Sequence, residues 1–226
     1  DIAVEFLKAV EAMKFGDVEP MIAFVTETLG EPWELRNKKQ KQGELLERCG
    51  DYKLGEKWDD PNTTLILTFD RQMLHLVYIV RQWRRNGQSR LVHCGVVPHY
   101  DDLRKLQLEL GVKSKCVWGD DGGKLAAEFR QTALQYGWNV LKGEDVEHFN
   151  FTEKDESKSW RQGWRATEFD PGIGTVGQGR HTMTAYLWSN AWFKSKLYDV
   201  FIPSKGPLWE IPKDVPVDYL KEVSAN

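Results

Sequence analysis

"TLILTFDRQMLHLVYIVRQW", Thr64–Trp83, is the stretch on which the fold turns. Leu65–Phe69 is a short, continuous apolar run, the composition a strand needs when both of its faces are buried. Asp70 interrupts it where that strand should finish, and a second apolar run starts at Met73 and continues to Trp83. Beyond it, Asn86-Gly87 in "RRNGQS" is a strong hairpin signal, and "RLVHCGVVP", Arg90–Pro98, supplies a third strand. The stretch therefore opens a three-stranded antiparallel meander. Because the strong hairpin signal lies at Asn86-Gly87, punctuation alone does not explain Asp70 well.

Downstream the periodicity alternates. Leu103, Leu106 and Leu110 fall at helical spacing, with Gly111 as a C-terminal cap. "KCVWG" is a fourth strand that runs into Asp120-Asp121-Gly122-Gly123. Leu125, Phe129, Ala133 and Tyr136 form a second helical stripe, and "WNVLKG" is a fifth strand. This order predicts an α/β fold: a mixed sheet with an antiparallel meander, parallel strands and flanking helices. Glu144–Trp164 reads as a polar loop or insertion. "HTMTAYLW" reads as a further strand and "NAWFKSKLYDVF" as a helix, followed by a Pro-rich segment with a short helical start. Upstream, Ile2–Met13 and Pro20–Leu29 read as helices stopped by Gly16 and Gly30, and Arg36–Lys41 as a solvated basic run.

Composition narrows the function classes. The 31 basic and 34 acidic side chains nearly cancel, so a nucleic-acid site has to be a local patch. The three cysteines are dispersed, without a CxxC, which argues against a disulfide framework or a zinc ribbon and fits a reducing compartment. No apolar run reaches the ~20 residues a membrane span needs. The ten tryptophans serve cores and contact surfaces alike, and counting them does not separate the two roles. The chain starts without Met, which suggests a fragment or a processed protein.

Two motifs are set aside. "GIGTVG", Gly172–Gly177, matches G-x-G-x-x-G but lacks the strand before and the helix after that a dinucleotide site requires. The five histidines, His75 and His93 among them, show no zinc spacing. The acids are more informative. Asp70 ends the first strand and Asp120-Asp121 the fourth, and functional groups in α/β sheets gather at such strand ends. Two readings stay open. These acids could be turn and helix-cap residues. Alternatively they converge on a divalent cation, which oxygen-only ligands restrict to Mg²⁺ or Mn²⁺ rather than zinc.

The order of these motifs resembles the nuclease domain of tailed-phage terminase large subunits. The resemblance is carried by Asp70-Arg71-Gln72 at a strand end, the meander after it, "VWGDDGG", and "FRQTALQYGWNVLKG". "AFVTETLGEPWE", Ala23–Glu34, resembles the segment joining that family's motor ATPase to its nuclease, and "PLWEIPKDVPVDYLKEV" its late region. The resemblance implies a ribonuclease H-like fold and a metal-dependent endonuclease cutting concatemeric double-stranded DNA. It implies residues 1–60 as a helical linker to an ATPase that this chain lacks, and 61–226 as the nuclease domain. It makes Asp70 the first metal ligand and Asp120 the second, with Asp121 as the alternate, for Mg²⁺ or Mn²⁺. Two departures stand out: Gly123 replaces the family's aromatic, and the expected third acid would follow a further helix beyond Asn226. Asp214, Asp218 and Glu222 are poor substitutes for it. The implied partners are double-stranded DNA, the motor ATPase, the small terminase subunit and the portal, in the host cytoplasm. Arg81, Arg84, Arg85 and Arg90 around the hairpin, and Arg161, Arg165 and Arg180 near the Gly-rich loop, are candidate phosphate contacts, or simply charge that keeps a surface soluble. The alternatives are a degenerate DNA- or portal-binding module, and another nuclease or recombinase of the same superfamily.

Overall fold

The computed structural model describes residues 2–14, 19–30, 45–46, 49–122, 126–152, 159–169, 183–195, 197 and 208–225. Gly123, Arg180, the "GIGTVG" loop and the Arg36–Lys41 run lie outside them. The chain forms two compact units, Asp1–Lys38 and Lys39–Asn226.

The first unit is helical. α1 (Ile2–Lys14) and α2 (Glu19–Ala23), with a π-helical turn over Phe24–Thr28, close a small cluster of Ala9, Met21 and Phe24. Gly30 ends this run with φ 67°, a conformation that favours glycine. Ile2 and Leu7 stay more than half exposed, so most of the apolar surface of α1 is not used within the unit.

The second unit is built on one nine-stranded sheet. Its strands are β1 (Cys49–Gly50), β2 (Thr64–Arg71), β3 (Leu76–Trp83), β4 (Ser89–Val97), β5 (Val117–Asp120) and β6 (Asn139–Glu144), then β9 (Trp164–Phe169), β10 (Met183–Ser189) and β11 (Trp209–Pro212). A separate hairpin, β7 (Phe149–Thr152) and β8 (Ser159–Gln162), lies between β6 and β9 in sequence. The order across the sheet is β1-β11-β4-β3-β2-β5-β6-β10-β9. β2, β3 and β4 form the expected antiparallel meander, while β2, β5, β6 and β10 run parallel. This is the mixed, ribonuclease H-like arrangement that the alternation of patterns implies.

Pleating divides the side chains between two faces. Leu67, Phe69, Tyr78, Val80, Val117 and Val140 point to one face, where α3 (Tyr100–Leu110) and α4 (Ala126–Tyr136) cover them with Leu103, Phe129 and Ala133. Gly111 caps α3 at φ 73°, as its position after the leucine stripe predicts. On the opposite face α6 (Val217–Ala225) packs Tyr219 and Leu220 on Leu91 and Ile211, towards the β4–β11 end. Over β5, β6 and β10 that second face carries Trp118, Leu141, Tyr186 and Trp188, all partly exposed.

Two segments depart from the sequence reading. Glu144–Trp164 is not a plain loop: Phe149–Thr152 and Ser159–Gln162 pair as a hairpin. The Pro-rich tail contributes a sheet strand, β11, parallel to β4 through Trp209 and Glu210. All three strands are four residues long, too short for a period to register. α5 (Asn190–Ser195) is described only for the first part of the helix expected there.

Candidate active site

β2 and β5 lie side by side and run in the same direction, with Phe69 registered on Gly119. The next residue on each strand is Asp70 and Asp120. Adjacent strands are ~4.8 Å apart, so register alone makes these two carboxylates neighbours. What fixes the register lies beneath. The Phe69 ring sits edge-on to Phe129, with centroids 5.3 Å apart, and to Trp138 at 5.6 Å. It can do so because position 119 has no side chain: a Cβ there would run into both the Phe69 and Phe129 rings. Core packing on one face thus pins two acids on the other.

Both acids line a cleft of ≈ 730 Å³ at the carboxyl ends of the parallel strands, with Tyr78, Gly143, Asp145 and Asn190 contributing to its wall. Asp70 Oδ2 accepts a hydrogen bond from Gln72 Nε2 at 2.5 Å, and Asp120 Oδ2 accepts one from the Gly122 amide at 3.2 Å. Neither aspartate has an ion pair among the described residues. Burial pushes the Asp120 carboxyl above the usual carboxylate range, and the neighbouring Asp70 charge adds to the shift.

Asp121 has a different fate. One residue further along, it faces the opposite side of the sheet, where Arg130 of α4 grips it with both Nε and Nη2 at 2.6–3.0 Å. Its side chain is 3% exposed. Asp121 also lines the cleft, but both of its oxygens already accept hydrogen bonds from the Arg130 guanidinium.

The arginines separate as well. Trp83 pairs with Thr64 and Val77 with Asp70, so the β3–β4 turn lies six residues, ~20 Å, along the sheet from Asp70. Arg81 is 4% exposed, donates to Ser89 and the Glu210 carbonyl, and stacks 4.4 Å over Trp209. Arg81, a candidate phosphate contact, is thus turned inward and engaged by the protein's own groups. Arg84 lies 4.1 Å over Trp58, and Arg90 is held by Glu210 and lies 4.0 Å over Tyr52. Only Arg85 of that group is exposed. Arg161 and Arg165, on β8 and β9, are both exposed, and Arg165 registers with Leu187 near the carboxyl end of β10, at the acidic end of the sheet. Arg180 lies outside the described residues.

Asp145 and Asn190 were not singled out from sequence, yet both line the cleft. The missed signal was positional: they follow β6 and β10 immediately, as Asp120 ends β5 and Asp70 is the last residue but one of β2. Ser189 fixes this corner. Its Oγ lies 2.9 Å from the Glu147 carbonyl and accepts the Trp192 amide at 3.0 Å, tying the turn after β6 to the start of α5.

Among the described residues no group of three or more His, Cys, Asp or Glu side chains is placed to hold a metal ion. Two neighbouring carboxylates, of which burial and the Asp70 charge raise the proton affinity of Asp120, nonetheless suit a hard cation such as Mg²⁺, which is commonly held by one or two carboxylates together with water and substrate phosphate. The donor set therefore fits Mg²⁺ or Mn²⁺ as a two-carboxylate site.

No curated protein and no solved structure matches the chain. A family model does: that of the terminase large subunit gpA endonuclease domain, over residues 1–207. With a match of that extent, the chain belongs to the gpA endonuclease-domain family of terminase large subunits.

Proposed function

We propose that this chain is the DNA-cutting domain of a viral packaging terminase, that Asp70 and Asp120 are its catalytic carboxylates, and that it hydrolyses concatemeric double-stranded DNA at a divalent-metal site. The observation that carries this reading is the adjacency of Asp70 and Asp120, without a cation partner among the described residues, on a cleft at the carboxyl ends of parallel strands. Asp70 and Asp120 would hold Mg²⁺ or Mn²⁺, which when bound supplies an activated water and stabilises the leaving oxygen of a phosphodiester.

The remaining roles belong to the protein. Gln72 orients Asp70 through one carboxylate oxygen, and the Gly122 amide does the same for Asp120. Arg130 compensates the Asp121 charge, leaving Asp70 and Asp120 as the adjacent strand-end acids without an ion pair among the described residues. Arg161 and Arg165, exposed on the outer strands, meet the DNA backbone. In the complete packaging machine a motor ATPase, a small terminase subunit and a portal would deliver the DNA, and the host cytoplasm is where this happens.

Asp70→Asn tests the reading. Plasmid cleavage in Mg²⁺ or Mn²⁺ should fall at least ~10³-fold, the scale on which removing catalytic machinery acts, with the melting temperature within about 2 °C of wild type. Unchanged cleavage sinks the assignment. The lack of a three-acid group among the described residues favours one rival, a degenerate binding module. Calorimetry showing no Mn²⁺ binding at millimolar concentration would select it.

A further inference from the structure

Beside the acidic cleft, on the same face of the sheet, lies a second hollow of ≈ 390 Å³ with no polar lining. Its walls are Trp118, Leu141, Trp164, Tyr186, Trp188 and Phe193. Trp118, Leu141 and Trp188 also line the acidic cleft, so the two spaces share a wall. Trp118 precedes Asp120 by two residues on one face of β5, a separation of roughly 7 Å, and Leu141 registers directly with Asp120.

The rings brace one another. Trp118 and Trp164 approach Tyr186 with centroids at 5.0 and 6.0 Å, and Trp188 approaches Phe193 at 5.9 Å. Trp164 is still 44% exposed and Phe193 42%. The buried indole N–H of Trp188 has no acceptor among the described residues, an omission that folded proteins rarely leave unexplained. The size is at the low end for ligand pockets, room for a flat group rather than a helix.

We infer that this aromatic hollow seats an unpaired nucleobase of the DNA strand whose phosphodiester lies at Asp70 and Asp120. The inference rests on the nuclease reading above. A base displaced from its stack exposes two π faces and ring acceptors. The hollow offers ring faces on which such a π face can stack. Such stacking tolerates any sequence and contributes about 1–3 kcal/mol per base. The site would thus select DNA that is locally opened at the cut.

The test uses the 226-residue chain without divalent metal, so that binding is read without cleavage. Duplexes carry 2-aminopurine either fully paired or within a small bubble. The bubble duplex should bind about tenfold tighter, a ratio within the 1–3 kcal/mol range of stacking, and its fluorescence should be quenched on binding. Trp164→Leu and Phe193→Leu, both outside the acidic cleft, should each abolish most of that preference and leave affinity for paired DNA within about twofold. The quenching needs no variant, so a substitution that fails to fold leaves the test intact. Equal affinities without quenching overturn the inference. So does a preference that survives in both variants, or sedimentation in which these substitutions dissolve a dimer of the chain instead. The two readings fail separately. A chain that cuts DNA but ignores the bubble sinks only the base site. One that prefers the bubble but never cuts sinks only the nuclease assignment.

Discussion

The two ends of the central sheet carry opposite charges and handle them in opposite ways. At the β3–β4 end, the cations are nearly all engaged internally: Arg81 is walled in by Trp209, Ser89 and the Glu210 carbonyl, Arg84 lies on Trp58, and Arg90 is gripped by Glu210. At the other end, Asp70 and Asp120 stand together with no cation among the described residues, and one of them is driven towards its protonated form. Charge compensated within the fold builds structure, and charge left concentrated at a strand end is available for chemistry. The lesson recurs within one dipeptide, where Asp121 is neutralised by Arg130 and Asp120 is not.

The contrast can be attacked at its strongest point first. Arg81→Ala removes several buried hydrogen bonds and a stacked cation, so it should destabilise by about 3 kcal/mol and lower the melting temperature by roughly 6–12 °C. At a temperature where the variant is folded, calorimetry and binding assays should find its DNA affinity unaltered. Asp121→Asn comes next. It leaves the Arg130 guanidinium without a counter-charge at a site whose acid is almost wholly buried, at an expected cost of about 2 kcal/mol in urea unfolding. Cleavage per folded molecule should stay within about threefold of wild type. A collapse of cleavage in the folded variant would return Asp121 to the metal site.

Third, Arg165→Ala should weaken DNA binding several-fold and flatten the salt dependence by about one counterion, while Arg85→Ala, at the far end, should change neither by more than about twofold. Equal losses would erase the distinction between the two ends. The smallest effect concerns protons. Asp120 is raised above its unfolded value, so the folded chain holds that proton to higher pH than the unfolded chain does. Stability from this group is present at low pH and is lost as pH rises from the ordinary carboxylate range through its raised value. Asp120→Asn should therefore raise the metal-free melting temperature at neutral pH by about 2 °C, and Mn²⁺ should stabilise the wild type but not the variant. A lower melting temperature would mean that the paired carboxylates are not in conflict.

Much of the architecture was legible because it rests on local patterns. The apolar run ending at Asp70, the Asn86-Gly87 turn and the leucine stripe before Gly111 each follow from a short-range rule, and the structure places the meander, α3 and its cap where those rules do. The positions of Asp70 and Asp120 at strand ends were legible for the same reason. What sequence could not supply was face and partner. Whether Asp120 or Asp121 turns to the cleft depends on which side of β5 carries Phe69 and α4. The burial of Arg81 depends on Trp209 and Tyr219, which lie far along the chain and arrive through a strand that pattern did not reveal. The aromatic hollow is drawn from β5, β6, β9, β10 and α5, so no window of sequence contains it.

Gly119 has a consequence for mutational robustness. Its missing Cβ is the space that the Phe69 and Phe129 rings fill, and Asp70 and Asp120 are the immediate neighbours of Phe69 and Gly119 in the chain. A directed-evolution library aimed at the visible cleft would pass over position 119, because its backbone is buried and it offers the substrate nothing. Yet alanine there would overlap two rings, and is expected to disturb the β2–β5 register that sets the carboxylates side by side without altering either one. On the proposed reading, one methyl group added on the face of the sheet opposite the cleft is therefore expected to cost activity.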